Sequence, residues 1–572
     1  LASGIAAYEP PAINGVDRRD LPLCRVAKRP KGGRRSGVLS CTRLPAARLP
    51  SRPHHHLLPS AWGIEEKLRA ARNLLGYPPL LTGQNGFPHL NNPKEYLMLD
   101  ILIRRGEVVT PQGTANWSIG IKGEQIVSVG VDDPAAEAGR IIDAIGKIVV
   151  PGGIEPHAHL ASLIGMHPVG RLFTLGPEED TYGMAFGGVT THLDFVFVHP
   201  ATDIPAALSR RLERWKDKSY VDYSFHIALG GPLPNHVFDQ MPEAIKQGFP
   251  SFKVFTNEVL PPHPKRLPFK LDFGRIGLAM EQAARHGGIM VVHAEDDDIV
   301  QFNYERFKEQ GLLDGANLHL IHSKLSEKLA FTRTIQLAAA TGAAAYFVHT
   351  SAREGVESVV EARGHNLPIY AETLHHYACF NAEDYRKPRG FCYHTYPSLK
   401  YPDDNHALWE GLVRDGLSTT ATDEYPTSLE VKLRGRNIDD VTGGNLGAEA
   451  RLGIVYTEGV VKRGMSLQRF ADITSTNAAR ILGLYPRKGV IAPGSDADLC
   501  LIDPSFQRKL TREDFHVSDY SPWEGWEASG WPVMTILRGK VVVENGKMTG
   551  RLGDGKLIAR KIDPVILRRP AS

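Results

Sequence analysis

Six side chains in this sequence have the types and settings to do chemistry together. His157 and His159 form a His-x-His in Pro151-Gly-Gly-Ile-Glu-Pro-His-Ala-His159, directly after the apolar run Ile148, Val149 and Val150. Side chains two apart on a strand point to one face. Both imidazoles can then reach one ion, and neutral imidazole suits zinc; hydrogen bonding inside a core would use the same pair. Lys253 in Ser-Phe-Lys-Val-Phe, His293 in Met-Val-Val-His-Ala-Glu, His349 in Ala-Tyr-Phe-Val-His-Thr-Ser and Asp423 in Ser-Thr-Thr-Ala-Thr-Asp-Glu follow at long intervals. Each ends, or nearly ends, a short apolar or β-branched run. An ammonium inside Phe-Lys-Val-Phe is costly to bury, and burial draws a lysine toward its neutral amine. The alternative is a lysine that snorkels to solvent from a strand end.

These residues need a scaffold that gathers strand ends. Helix-like stretches, Ile276 to His286, Ser326 to Ala340 and Gly355 to Arg363, lie between the short strands. Strands alternating with helices predict a parallel sheet. Eight strands are expected: at His157, then Val189–Phe197, Tyr223–Leu229, Phe252–Phe255, Ile289–His293, Ala345–His349, Ile369–Glu372 and Leu417–Thr422. The fold class is therefore α/β, one closed (β/α)₈ barrel, whose active site is built at the C-terminal strand ends.

From about Met98 to about Gly550 the chain resembles the hydantoinase and dihydropyrimidinase branch of the metal-dependent amidohydrolases. The motifs are Met98-Leu-Asp-Ile-Leu-Ile-Arg-Arg-Gly, the His-x-His segment, Ser-Phe-Lys-Val-Phe, Tyr456-Thr-Glu-Gly-Val-Val, Gly483-Leu-Tyr-Pro-Arg-Lys-Gly and Gly494-Ser-Asp-Ala-Asp-Leu. The resemblance implies two divalent ions, usually zinc, at the barrel mouth. His157, His159 and Asp423 would hold one, His293 and His349 the other, and Lys253, carboxylated by carbon dioxide, would bridge them. A water between the ions would become the nucleophile near neutral pH, with Asp423 as general acid and base. The implied reaction is hydrolysis of an amide C–N bond in a hydantoin- or dihydropyrimidine-like ring. A linear amide or carbamate hydrolase and a non-catalytic scaffold are the alternatives.

Three substrate-contact positions depart from the family pattern. Where a tyrosine usually supports the oxyanion, five residues after the lysine, this chain has Glu258, whose carboxylate cannot donate a hydrogen bond. A Ser-Pro-Pro-Leu-Arg-like segment becomes Tyr396-Pro-Ser-Leu-Lys400, and the Pro-Asn-Gly loop becomes Thr442-Gly-Gly-Asn-Leu-Gly447, with Gly443 at the asparagine. One expectation is that the Tyr396 phenol replaces the missing one, so that Tyr396→Phe lowers turnover sharply and Glu258→Gln alters substrate choice. His375 and His376, after strand seven, are further pocket candidates, with His376 assigned to substrate binding. The acidic run Glu295, Asp296, Asp297 and Asp298 reads as a solvated helix start. His192, His226 and His236 read as core hydrogen-bonding residues.

Composition agrees with an enzyme of this kind. The chain has 572 residues, 42% hydrophobic and 23% charged, enough to bury a full core. A formal net charge of +3 makes no case for nucleic acid or a membrane. The odd, scattered cysteines Cys24, Cys41, Cys379, Cys392 and Cys500 suggest reduced thiols and a cytoplasmic setting. The expected partners are a small-molecule substrate and further copies of the chain, as a dimer or tetramer; tetramers are usual in the family. Domains are expected at 98–150 and 489–550 (two parts of one small β-sandwich) and 151–488 (the barrel), with a C-terminal tail at 551–572. Residues 1–97 read as a disordered extension or upstream sequence, because 1–60 are rich in Pro, Gly and Arg. Ile64, Leu68, Ala71 and Leu75 repeat there at helical spacing and predict a single helix.

Overall fold

The structure, a computed structural model, describes residues 98–164, 172–263, 266, 268–435 and 437–571. The expected extension at 1–97, with its single helix, lies outside the described residues.

The chain opens with β1 (Leu99–Thr110), β2 (Gly113–Lys122), β3 (Gln125–Gly130), β4 (Ala138–Asp143) and β5 (Ile148–Pro151). Eight parallel strands follow: β6 (Gly153–Ala158), β7 (Val189–Val198), β8 (Asp222–Leu229), β9 (Ser251–Phe255), β10 (Ile289–His293), β11 (Ala345–Phe347), β12 (Ile369–Leu374) and β13 (Thr419–Ala421). β14 (Leu499–Lys509), β15 (Glu527–Leu537), β16 (Lys540–Glu544) and β17 (Lys547–Met548) close the order.

Strands β6 to β13 pair in sequence order. They are buried almost throughout, as a parallel sheet covered by helices requires. Closure is made just beyond the last strand: His159 N–H donates to Glu424 O at 2.7 Å and Glu424 N–H to His157 O at 3.1 Å. A buried ion pair reinforces it, with Arg451 Nε 3.0 Å from Glu155 Oε2. Glu155 Oε1 also accepts the backbone N–H groups of His157 and Thr422, which holds the segments of His157 and Asp423 in register. The three expected helices form as Phe273–His286, Lys324–Thr341 and Arg353–Gly364. The first two begin on side-chain caps from Asp272 and Ser323 and end at left-handed Gly287 and Gly342.

The two strand-rich pieces join through β5, which pairs with β1 on one side and β14 on the other. They make one nine-stranded sheet. It curls back on itself, since Ile126 N–H donates to Ser495 O, and encloses a core that includes Ile103, Ile119, Ile121, Leu499 and Ile536. A buried charge cluster ties this sheet to the barrel: Lys488 Nζ lies 2.7 Å from Asp222, 2.6 Å from Asp498 and 3.1 Å from Asp496, and Arg538 also pairs with Asp222.

Residues 551–571 are more than a tail. Ile558, Ile562 and Ile566 pack with Ile154, Val291 and Tyr346 at the end of the barrel remote from His159 and Asp423. Buried Arg560 donates to Phe225 O, Leu482 O and the Ser224 and Ser251 hydroxyls. The segment plugs the N-terminal end of the barrel.

Candidate active site

The side chains singled out for metal chemistry converge at the C-terminal ends of the barrel strands. Nε2 of His157 lies 3.2 Å from Nε2 of His159, and Asp423 Oδ1 is 3.0 Å from the first and 3.1 Å from the second. His293 Nδ1 lies 2.9 Å from His349 Nε2. His157 and His349 connect the two groups, with ring centroids 5.4 Å apart. Lys253 is buried from β9 between the rings of Phe195 and Phe255. Two of the strands stop short to make this possible. β11 and β13 end at Phe347 and Ala421, and two residues on His349 (φ 42°) and Asp423 (φ 51°) take left-handed backbone. For residues other than glycine this costs on the order of 1–3 kcal/mol each, and such strain clusters at functional sites.

Tautomers are set from outside the cluster. His157 Nδ1 is 2.6 Å from Glu372 Oε1, so it carries the proton and Nε2 presents a lone pair. Glu372 also accepts the His349 N–H and the Tyr346 hydroxyl, and it is fully buried. His293 Nε2 is 3.0 Å from Glu295 Oε2, leaving Nδ1 as its free lone pair. Glu295 in turn meets His322 Nδ1 at 3.0 Å. With His157 and His293 neutral, the result is a set of lone pairs and carboxylate oxygens that converge. That donor chemistry fits bound cations, and carboxylate-backed histidines are the usual support of metal ligands.

The charges follow. Burial opposes protonation of His157, but the Asp423 and Glu372 carboxylates outweigh it and push the ring up to about 8. Burial would raise the Asp423 carboxyl, yet His157 and His159 hold it well below the usual range. His349 is driven well below the ordinary imidazole value by burial, His293 and Lys253. Burial pulls the Lys253 ammonium down to about 8 against the attraction of Asp423 and Glu372. The nucleophilic amine is therefore accessible near neutral pH.

All six residues line one cavity of about 540 Å³. Its walls combine aromatic and aliphatic side chains, such as Phe195, Phe197, Phe255, Phe269 and Val259, with the arginines Arg210, Arg211, Arg214 and Arg266. Glu258, Tyr396 and Gly443 line it too. Glu258 is half-buried, and its carboxylate accepts the N–H groups of Phe269 and Lys270 at 3.1–3.2 Å, bracing the loop that carries Phe269. Burial raises its carboxyl, and those amides partly offset the rise. The Tyr396 hydroxyl donates to Val441 O at 3.4 Å. It is committed to the loop behind it, which goes against the expected replacement of an oxyanion-supporting phenol.

His376 is not among the residues lining the cavity; it is buried with His375, Phe380 and Trp523. Within the acidic run, Asp296 caps the helix Asp297–Glu309 as expected. Glu295 departs from that reading, being fully buried behind His293. His226 is a core residue, bonded to Ser251 Oγ and Pro156 O, and buried His192 accepts from Trp215 Nε1 at 3.4 Å, whereas His236 is exposed. Glu295 and Glu372 were missed as site residues. The available signal was a carboxylate inside or at the end of an apolar strand, as in Ile-Tyr-Ala-Glu-Thr-Leu.

The amidohydrolase family matches residues 148–542, and this chain belongs to it. A D-hydantoinase of Geobacillus stearothermophilus is 31% identical over 467 residues, 80% of this chain and 96% of that one. A D-phenylhydantoinase of Escherichia coli O1:K1 / APEC is 30% identical over 477 residues, 82% of this chain and 100% of that one. The crystal structure of dihydropyrimidinase from Brevibacillus agri NCHU1002 superposes with a TM-score of 0.75 at 31% identity, covering 80% of this chain and 98% of that chain. L-hydantoinase (dihydropyrimidinase) from Arthrobacter aurescens gives 0.72 at 26% identity, covering 81% and 100%. Within the family the chain falls in the hydantoinase and dihydropyrimidinase branch, a hydrolase on a (β/α)₈ barrel.

Proposed function

We propose that this protein is a binuclear metal-dependent hydrolase that opens the C–N bond of a cyclic amide or ureide, a hydantoin- or dihydropyrimidine-like ring. The observation that carries the reading is the convergence of His157 Nε2, His159 Nε2 and Asp423 Oδ1 within 3.0–3.2 Å, beside the His293–His349 pair, in a walled cavity. His157, His159 and Asp423 would hold one divalent ion, and His293 and His349 the second. Lys253 would bridge them as its carbamate, its amine adding to carbon dioxide with loss of one proton. Zinc is the ion best suited to these nitrogen and oxygen donors. When bound, the ions supply water activation near neutral pH and carbonyl polarisation.

The remaining work belongs to this chain's own side chains. Asp423 lies against two imidazoles and stays ionised, so it can take the proton of the attacking water and return one to the leaving nitrogen. The aromatic side chains beside the cluster lower its contact with water, which strengthens the charge interactions there.

No helix among the described residues is long and apolar enough to cross a membrane. Cys379, Cys392 and Cys500 are free thiols, which supports a cytoplasmic enzyme. A homo-oligomer, dimer or tetramer, is proposed on the resemblance to the branch.

The test is hydrolysis of dihydrouracil, 5-phenylhydantoin, a cyclic imide, and linear aryl amides and carbamates by protein supplied with zinc and bicarbonate, with Asp423→Asn as control. Ring opening that disappears in the control is expected. Cleavage of the linear substrates alone would overturn the cyclic reading while keeping the metal chemistry.

A further inference from the structure

Gly443 has no left-handed backbone to explain it. The requirement for glycine there is one of space. A Cβ built on Gly443 would overlap one edge of the Tyr396 ring, 3.1 Å from Cζ and closer still to Cδ2 and Cε2. The ring cannot retreat cheaply. It is 8% exposed, lies against His322 with centroids 5.1 Å apart, and its hydroxyl is tied to the backbone of buried Val441.

The loops that carry the two residues are also laced together. Gly444 N–H donates to His394 O at 2.9 Å, and Asn445 Nδ2 to Thr395 Oγ1 at 3.1 Å. Buried Lys432 Nζ donates to His394 O at 2.8 Å and to Gly444 O at 2.6 Å. A side chain therefore cannot be added at 443 unless the Tyr396 ring shrinks or moves.

We propose that Tyr396 and Gly443 are one steric unit that sets substrate choice: the ring occupies the place of any side chain at 443, replaces a polar wall by a flat aromatic one, and selects a cyclic amide bearing a flat apolar substituent over an unsubstituted ring. The proposal rests on the cyclic-amide reading above and deepens it. The other walls agree with it, since Phe195, Phe197, Phe255 and Phe269 face the same cavity. A volume of about 540 Å³ holds far more than a bare six-membered ring. Aromatic faces reward a flat aromatic guest through offset or edge contacts.

The experiment is a double-mutant cycle of Gly443→Asn, Tyr396→Ser and the double variant, each zinc-loaded with metal content measured. Melting temperature is read beside kcat/KM for 5-phenylhydantoin and for dihydrouracil. Gly443→Asn alone is expected to melt lower and to lose about tenfold or more in kcat/KM on both rings. Adding Tyr396→Ser should recover both, a coupling of about tenfold or more, the range found for residues in contact. The preference for the phenyl substrate should fall about tenfold in Tyr396→Ser and in the double variant.

Additive changes in melting temperature would overturn the steric unit. Coupling with an unchanged substrate ratio would overturn its role in substrate choice. A wild-type protein that opens neither ring, fully loaded with zinc, would overturn the cyclic-amide reading and the substrate-choice claim together, while the melting cycle still decides the steric one.

Discussion

Replacing Glu372 by glutamine should weaken metal binding without unfolding the barrel. The carboxylate is fully buried and makes three contacts: His157 Nδ1 at 2.6 Å, the Tyr346 hydroxyl at 2.7 Å and the His349 N–H at 3.2 Å. Glutamine has the same shape. Its oxygen can still accept from His157, and its amide nitrogen can donate to Tyr346, whose hydroxyl also meets Thr419 Oγ1. What is lost is the charge. A hydrogen bond to a charged group contributes about 1.5–3 kcal/mol, against about 0.5–1.5 kcal/mol for a neutral one. His157 also becomes a less basic ligand, and changes of this kind typically cost about 10–100-fold in metal affinity. Proton competition works the other way. Glu372 helps push His157 up to about 8, so at pH 7 the wild-type site first sheds a proton, at about 1.4 kcal/mol. The variant is spared part of that cost. Zinc affinity should therefore be read at pH 8.5, by competition with a chelator of known affinity, with circular dichroism to confirm the fold. A dissociation constant raised about 10–100-fold is expected there, with a smaller difference at pH 7. Equal affinity at pH 8.5 in a folded variant would refute the orienting role.

Three further outcomes are expected. The Lys253 amine has a pKa of about 8, so it is about one-tenth neutral at pH 7 and half neutral at pH 8. Zinc uptake by metal-free protein at constant dissolved carbon dioxide should then rise about tenfold from pH 6 to 7 and level off above 8; a flat profile would contradict carboxylation as the loading step. Glu258→Gln removes a carboxylate that accepts three backbone contacts from Phe269 and Lys270, so KM for an aryl-substituted ring should rise by about tenfold, one buried bond. A loss confined to kcat would instead place Glu258 in the chemical step. Lys488→Met leaves Asp498 without an ion-pair partner, while Asp222 keeps Arg538 and Asp496 keeps Arg487, and should cost about 3–5 kcal/mol, read as a lower denaturant midpoint. The Lys488 ammonium is held above its ordinary range by those carboxylates against burial, so this stabilisation is complete at neutral pH and fades only when strong alkali removes the proton. An unchanged midpoint would mean the cluster is not what joins sheet to barrel.

The barrel, its eight strands and the six side chains at its mouth are legible in the residue order alone. Those are local properties: a buried parallel strand reads as an apolar run, and a polar residue closing such a run marks the functional end. Even so, the runs ending at His349 and Asp423 were read as strands up to the ligand, and the left-handed turns that aim both side chains are invisible in residue types. What stands behind those six side chains depends on how distant segments pack. Glu295 looks like its acidic neighbours until β10 and the helix after it place it against His293 and His322. His376 looks like a pocket residue until its helical turn (His375–Cys379) points it at Trp523. Tyr396 and Gly443 look like two independent changes, 47 positions apart. Contact between side chains that distant in sequence depends on how whole loops pack, and no local pattern records that the ring of one fills the space of the other.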